Sequence, residues 1–132
     1  MQYQFSAQFL SEIVRLAKEI AFYQRGERKL QEIETLEEKF EKECRELKES
    51  EHPEEELPDV VYYGLCLAAQ GQYGEYLKRV EERILPLYPY TQAQIEAITL
   101  AKYRLRVERF ETGHPVKKDF VAERAAIQAA LK

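Results

Sequence analysis

Apolar residues between positions 30 and 47 recur in steps of three and four: Leu30, Ile33, Leu36, Phe40, Cys44 and Leu47. That period belongs to an α-helix with one buried stripe and gives a strand no consistent face. It predicts a helix over 28–49, packed against a neighbour. The rest of the chain offers few places to turn. Only 5 Gly and 5 Pro occur in 132 residues, too few for the closely spaced turns of a β-sandwich or barrel. Nine Tyr and six Phe, with many Leu, Ile and Val, supply a core and exclude a disordered chain. The length suits one domain over 1–132.

Five further helices are predicted. The first covers 6–24, with Ser6 as cap, Phe9, Ile13, Leu16 and Ile20 at helical spacing, and Gly26 as its end. The third covers 54–70 and is apolar on most sides. A fourth, over 75–85, follows a turn at Gly71–Gly74 and is stopped by Pro86 and Pro89. A fifth runs over 92–111 from a Thr91 cap to a break at Thr112–Pro115. The last, over 119–131, is rich in alanine. The fold class is therefore all-α, an antiparallel bundle of five to six helices. A helix apolar all round needs cover on every side, so a second copy is expected to complete the bundle.

Net charge is −4, which argues against a general nucleic-acid binder. Residues 27–59 carry 14 acids and 6 bases, whereas 60–132 carry 8 acids and 11 bases. Such a split suits either internal charge complementarity or a site for a cation together with an anion. Met1–Phe5 lacks the features of a signal peptide. The most apolar stretch, 57–69, is too short to span a membrane and contains Asp59. Cys44 and Cys66 form no C-x-x-C pair and read as buried free thiols of a reducing compartment. A soluble cytoplasmic protein is expected. His52 and His114 each precede a proline in a loop, and no zinc, phosphate-loop, dinucleotide or nucleophile-elbow motif occurs.

The carboxylates carry the information. Glu34, Glu37, Glu38 and Glu41 lie in one sector of the second helix, flanking its apolar stripe. Glu37 and Glu41 repel each other at i, i+4, which invites a compensating cation. Asp59 stands where the third helix turns apolar, and a carboxylate there needs a partner. In an antiparallel hairpin of the two helices, Glu38 and Glu41 would face Glu56 and Asp59. Four converging carboxylates suit a hard, oxygen-liganded cation, Mg²⁺ or Mn²⁺. Mg²⁺ commonly also binds substrate phosphates, so the pattern points to phosphate chemistry.

Glu37-Glu38-x-x-Glu41 followed by Glu56-x-x-Asp59 resembles the E-E-x-x-E … E-x-x-D signature of the all-α nucleoside triphosphate pyrophosphohydrolases, the MazG-like group. The resemblance covers about 30–70 and extends loosely to Lys102-x-x-x-Arg106. Pro58 departs from it, standing where the family commonly has a small residue. The resemblance implies hydrolysis of an NTP or dNTP to the monophosphate and pyrophosphate. It implies Glu38, Glu41, Glu56 and Asp59 as metal ligands, with Glu37 orienting or deprotonating the attacking water. It also implies a homodimer or homotetramer. Lys102, Arg106 and Arg109 share one face of the fifth helix and can stabilise phosphate charge, or simply form a solvated basic face. Lys117 and Lys118 are weaker candidates. Tyr62, Tyr63 and Tyr103 can stack on a base or belong to the core. The competing reading is a non-catalytic helical interaction module, or an inactive relative of the same fold, with the glutamates solvated and Asp59 facing the positive end of a helix dipole.

Overall fold

A computed structural model describes residues 5–24, 35–69, 74–111 and 120–132, and every regular element among them is helical. In chain order these are α1 (Ala7–Gln24), α2 (Leu36–Glu49), α3 (Pro53–Ala69), α4 (Gly74–Arg79), α5 (Gln92–Glu111) and α6 (Phe120–Leu131). The turn expected at Gly71–Gly74, the break at Thr112–Pro115, Gly26, Glu34, His114, Lys117 and Lys118 fall wholly or mainly outside the described residues.

The helix starts follow from their caps. The Ser6 hydroxyl accepts the Phe9 N–H at 3.1 Å, as expected. Thr91 and Gln94 exchange two bonds: the Gln94 N–H donates to the Thr91 hydroxyl at 3.1 Å and the Thr91 N–H to the Gln94 side chain at 2.9 Å. Thr35 corrects the predicted helix over 28–49. It is extended, its hydroxyl accepts the Glu38 N–H at 3.1 Å, and α2 begins after it. A second correction concerns 75–85. The α-helical part ends at Arg79 and widens into a π-helical turn over Val80–Ile84, then tightens into a 3₁₀ turn over Leu85–Leu87. The Leu85 N–H reaches back to the Val80 carbonyl, and Pro86 has no N–H with which to extend an α ladder. The wider turn brings Val80 and Leu85 into the core together.

Two hairpins, α2–α3 and α5–α6, form the body, and α1 packs on α5. α3 is the centre and touches α2, α4, α5 and α6. Its residues Leu57, Val60, Val61, Tyr62 and Leu67 are buried by helices of its own chain, with no second copy required for that cover. α1 adds Phe9, Ile13 and Leu16; α2 adds Phe40, Cys44 and Leu47; α5 adds Ile95, Ile98 and Tyr103. Both cysteines are free thiols, and burial pushes each up to about 11. Among the described residues no helix is long and apolar enough to cross a membrane. Pro58 lies inside α3 and is buried there. It cannot donate to the carbonyl of Glu54, yet the helix continues through it, because packing on four sides outweighs one missing bond.

Gly64 lets α3 lie close against its neighbours. A methyl group built on it would meet Val80 at 3.0 Å and Phe40 at 3.5 Å. Gly64→Val is therefore expected to lower stability by about 1–3 kcal/mol through overpacking. Gly64→Ala should cost less, because its helix propensity gain of about 1 kcal/mol offsets part of the crowding. Thermal unfolding of the two variants checks the order; equal stability for Gly64→Val and the wild type would contradict the packing described.

Candidate functional site

α2 presents two flanks beside its buried stripe of Phe40, Cys44 and Leu47, and their partners differ. On one flank, Glu41 forms a bidentate pair with Arg79 at 2.6 and 3.2 Å. This guanidinium holds the Glu41 carboxyl below the usual carboxylate range. Glu37 lies in the first turn on the same flank, near Tyr76, and Glu38 is exposed. On the other flank stand Lys39, Glu43 and Glu46.

This second flank meets the acidic start of α3. One carboxylate oxygen each from Glu43, Glu46 and Glu56 lies within 4.8 Å of the others. Glu43 Oε2 is buried with no hydrogen-bond partner. Burial, then the charge of Asp59, then Glu46 push the Glu43 carboxyl up to about 8. Glu56 is also raised, first by burial, although Lys102 pulls it back. Asp59 completes the acidic group through the charge it places on Glu43 and Glu56.

The structure thus brings Glu56 and Asp59 into one neighbourhood, as expected, but replaces Glu38 and Glu41 by Glu43 and Glu46. The correction has a geometric cause. Phe40, Cys44 and Leu47 fix the buried face of α2. At about 100° per residue, Glu38 and Glu41 fall on one side of it and Glu43 and Glu46 on the other. A single helix does not reveal which flank meets its partner; the turn does. With Glu51 as the midpoint of the α2–α3 hairpin, Glu46 mirrors Glu56, Glu43 mirrors Asp59 and Lys39 mirrors Tyr63. Glu41 and Glu38 mirror Val61 and Gly64, which are buried. That mirror count, together with a second i, i+3 acidic pair, was the available signal for Glu43 and Glu46.

α5 supplies the basic side. The Lys102 ammonium donates to Asp59 Oδ2 at 2.7 Å and to the Glu55 carbonyl at 2.9 Å. The Tyr103 hydroxyl donates to Asp59 Oδ1 at 2.7 Å, so both oxygens of Asp59 are occupied. Tyr103 is buried and stacks on Tyr62 with ring centres 4.0 Å apart, so both rings belong to the core and neither is open to a base. Arg106 lies over the Tyr103 ring at 5.9 Å, among Tyr62 and Tyr63. It has no carboxylate partner among the described residues. Lys39 sits over the Tyr63 ring at 6.0 Å. Arg109 is taken up elsewhere: it pairs with Glu123 of α6 at 2.9 Å with both side chains largely buried, a tie between helices. Of the expected basic stripe, Lys102 touches the acidic group and Arg106 stands among Tyr62, Tyr63 and Tyr103.

A second carboxylate group, His52, Glu54 and Glu55, lies at the start of α3. Its acids are already engaged, Glu54 by Tyr90 and Gln128, and Glu55 by Arg124. The donor chemistry at Glu43, Glu46 and Glu56 differs: one oxygen from each converges, Glu43 Oε2 is buried without a partner, and no basic side chain among the described residues pairs with Glu43 or Glu46. This set fits a hard divalent cation. Comparisons of the chain with protein-family models, curated proteins and solved structures returned no match.

The raised Glu43 has a stability consequence in metal-chelating buffer. Its folded pKa of about 8 exceeds the ordinary value of 4.5, so the folded form retains a proton that the unfolded chain releases. Its contribution is full below pH 4.5 and is lost as the pH rises through 8. Glu43→Gln is expected to remove that loss and to be more stable than the wild type at pH 8 by about 1–3 kcal/mol, discounted for partial exposure. Urea unfolding across this range measures the difference; a variant less stable than wild type at pH 8 would refute the assignment.

Proposed function

We propose that the chain is a metal-dependent nucleoside triphosphate pyrophosphohydrolase, converting an NTP or dNTP to the monophosphate and pyrophosphate. The observation that carries this reading is the convergence of one carboxylate oxygen each from Glu43, Glu46 and Glu56, at a residue, Glu43, whose Oε2 is buried without a partner. Asp59 lies beside them, and Arg106 lacks an acidic partner among the described residues. The pattern Glu43-x-x-Glu46 … Glu56-x-x-Asp59 retains the E-x-x-E … E-x-x-D part of the MazG-like resemblance, shifted along α2. Lys42 stands at the position preceding Glu43, where the signature has a glutamate.

Glu43, Glu46, Glu56 and Asp59 would hold Mg²⁺, or Mn²⁺ in its place. The cation's contribution when bound is to neutralise phosphate charge and acidify water. Arg106, hydrogen-bonded to Tyr63 and without a carboxylate partner among the described residues, would bind a phosphate oxygen. Glu37 lies on the opposite flank and has no place in this site. The resemblance carries a homodimer or homotetramer with it, and the reading places the enzyme in the cytoplasm.

Phosphorus NMR with each common NTP and dNTP, with and without Mg²⁺, tests the reaction. Metal-dependent appearance of monophosphate and pyrophosphate is expected. Glu46→Gln should slow it about a hundredfold or more, as loss of a metal ligand does. Glu41→Gln, which disrupts only the pair with Arg79, should leave it close to wild type. Triphosphates that stay intact under both Mg²⁺ and Mn²⁺ would remove the enzymatic reading and leave a non-catalytic helical module.

A further inference from the structure

Lys102 is the base that touches this acidic group. Its ammonium and Asp59 are both largely buried, with side-chain exposures of 16% and 15%. Burial works against the charged ammonium, but the charge and hydrogen bond of Asp59 outweigh it, with help from Glu123 and Glu56. Asp59 has no oxygen left over, because Tyr103 takes the other. The Glu55 carbonyl adds a third contact at 2.9 Å and fixes the ammonium on the α3 side of α5. A divalent cation bound to Glu43, Glu46 and Glu56 would meet a positive charge already seated on their neighbour. To be liganded by Asp59 it would have to displace that charge.

We propose that Lys102 is the built-in counter-ion of the carboxylate group: it occupies Asp59 in the cation-free protein, weakens divalent-cation binding, and is drawn off Asp59 by an anionic phosphate. The inference rests on the reading of Glu43, Glu46 and Glu56 as a cation site. It assigns Lys102 a positioning role beyond phosphate binding. Two charges a few ångströms apart in a partly buried setting interact strongly enough to change an affinity by about tenfold or more. The arrangement couples the two ligands. Phosphate that engages Lys102 frees Asp59 for the cation, and the cation in turn favours phosphate, so each raises the other's affinity. Without phosphate Lys102 offsets the charge of Asp59, which limits the repulsion that Asp59 exerts on the other three acids.

Mn²⁺ binding, read from the electron paramagnetic resonance signal of free Mn²⁺, tests this without recourse to activity. Lys102→Met is expected to bind Mn²⁺ about tenfold more tightly than wild type. Lys102→Gln, which keeps a donor for Asp59 and the Glu55 carbonyl but not the charge, should show the same tightening and covers the case in which Lys102→Met fails to fold. Lys102→Arg keeps the charge and should stay near the wild-type affinity. Unchanged or weaker binding in the neutral variants, with wild type binding Mn²⁺, overturns the role of Lys102 alone. No binding by wild type or any folded variant overturns the cation site itself.

Discussion

Asp59 ties the central helix to α5 through two short hydrogen bonds, and much of the structure is arranged around that carboxylate. It sits where α3 passes from a glutamate-rich first turn into a run that is buried on nearly every side. A charge at that junction is stable only if both oxygens are satisfied. Lys102 and Tyr103, adjacent on α5, reach it from one side. Tyr103 can do so only because its ring is stacked on Tyr62, and the hydroxyl of that buried ring needs an acceptor in turn. Each of the three groups would be costly in isolation, and together they fix how α5 lies against α3.

The same carboxylate adds to what burial already does to the neighbouring acids. Glu43 lies opposite Asp59 in the hairpin and feels its charge after its own burial has already disfavoured ionisation. An ordinary solvated face would let Glu43 turn outward and gain water. Here Oε2 remains inside without a donor. A carboxyl held in that state lowers the stability of the folded chain as it ionises. That contrast separates the two flanks of α2. Glu41 is satisfied by Arg79 and contributes to packing, whereas Glu43 Oε2 is buried without a hydrogen-bond partner among the described residues.

Much of the fold was legible because helices announce their ends and faces locally. Ser6 and Thr91 act as caps where the spacing placed them, and α1, α3, α5 and α6 fall within a residue of their expected bounds. The differences arose where a local signal competed with packing. Thr35 sits inside a continuous apolar period yet caps a helix, because its hydroxyl meets the Glu38 N–H. Pro86 marked a helix end, but nothing local foretold the wider turn that buries both Val80 and Leu85. At the site, the acidic start of α3 and the need of Asp59 for a partner could be read directly. The choice between the flanks of α2 could not be read from α2 alone, since the stripe of Phe40, Cys44 and Leu47 is symmetric about its own axis. It emerges from the mirror relation across the turn, a property of two helices together. The basic residues illustrate the same limit: Lys102, Arg106 and Arg109 share one face in sequence, yet Glu123 of a later helix claims Arg109.

The distribution of charge then acquires a spatial meaning. Along the α2–α3 hairpin, Glu46 and Glu56 stand nearest the turn, Glu43 and Asp59 come next, and Lys39 and Tyr63 lie furthest from it. α5 crosses this ladder with Lys102 at the level of Asp59 and Arg106 one turn further on. The ladder therefore runs from carboxylates, through a neutralised pair, to a cation and an aromatic edge. The polarity follows from the i, i+3 and i, i+4 spacing on three helices and from one short turn. Altering the length of the Ser50–His52 connection would shift Glu46 and Glu43 past Glu56 and Asp59 and dismantle it without touching a single charged residue.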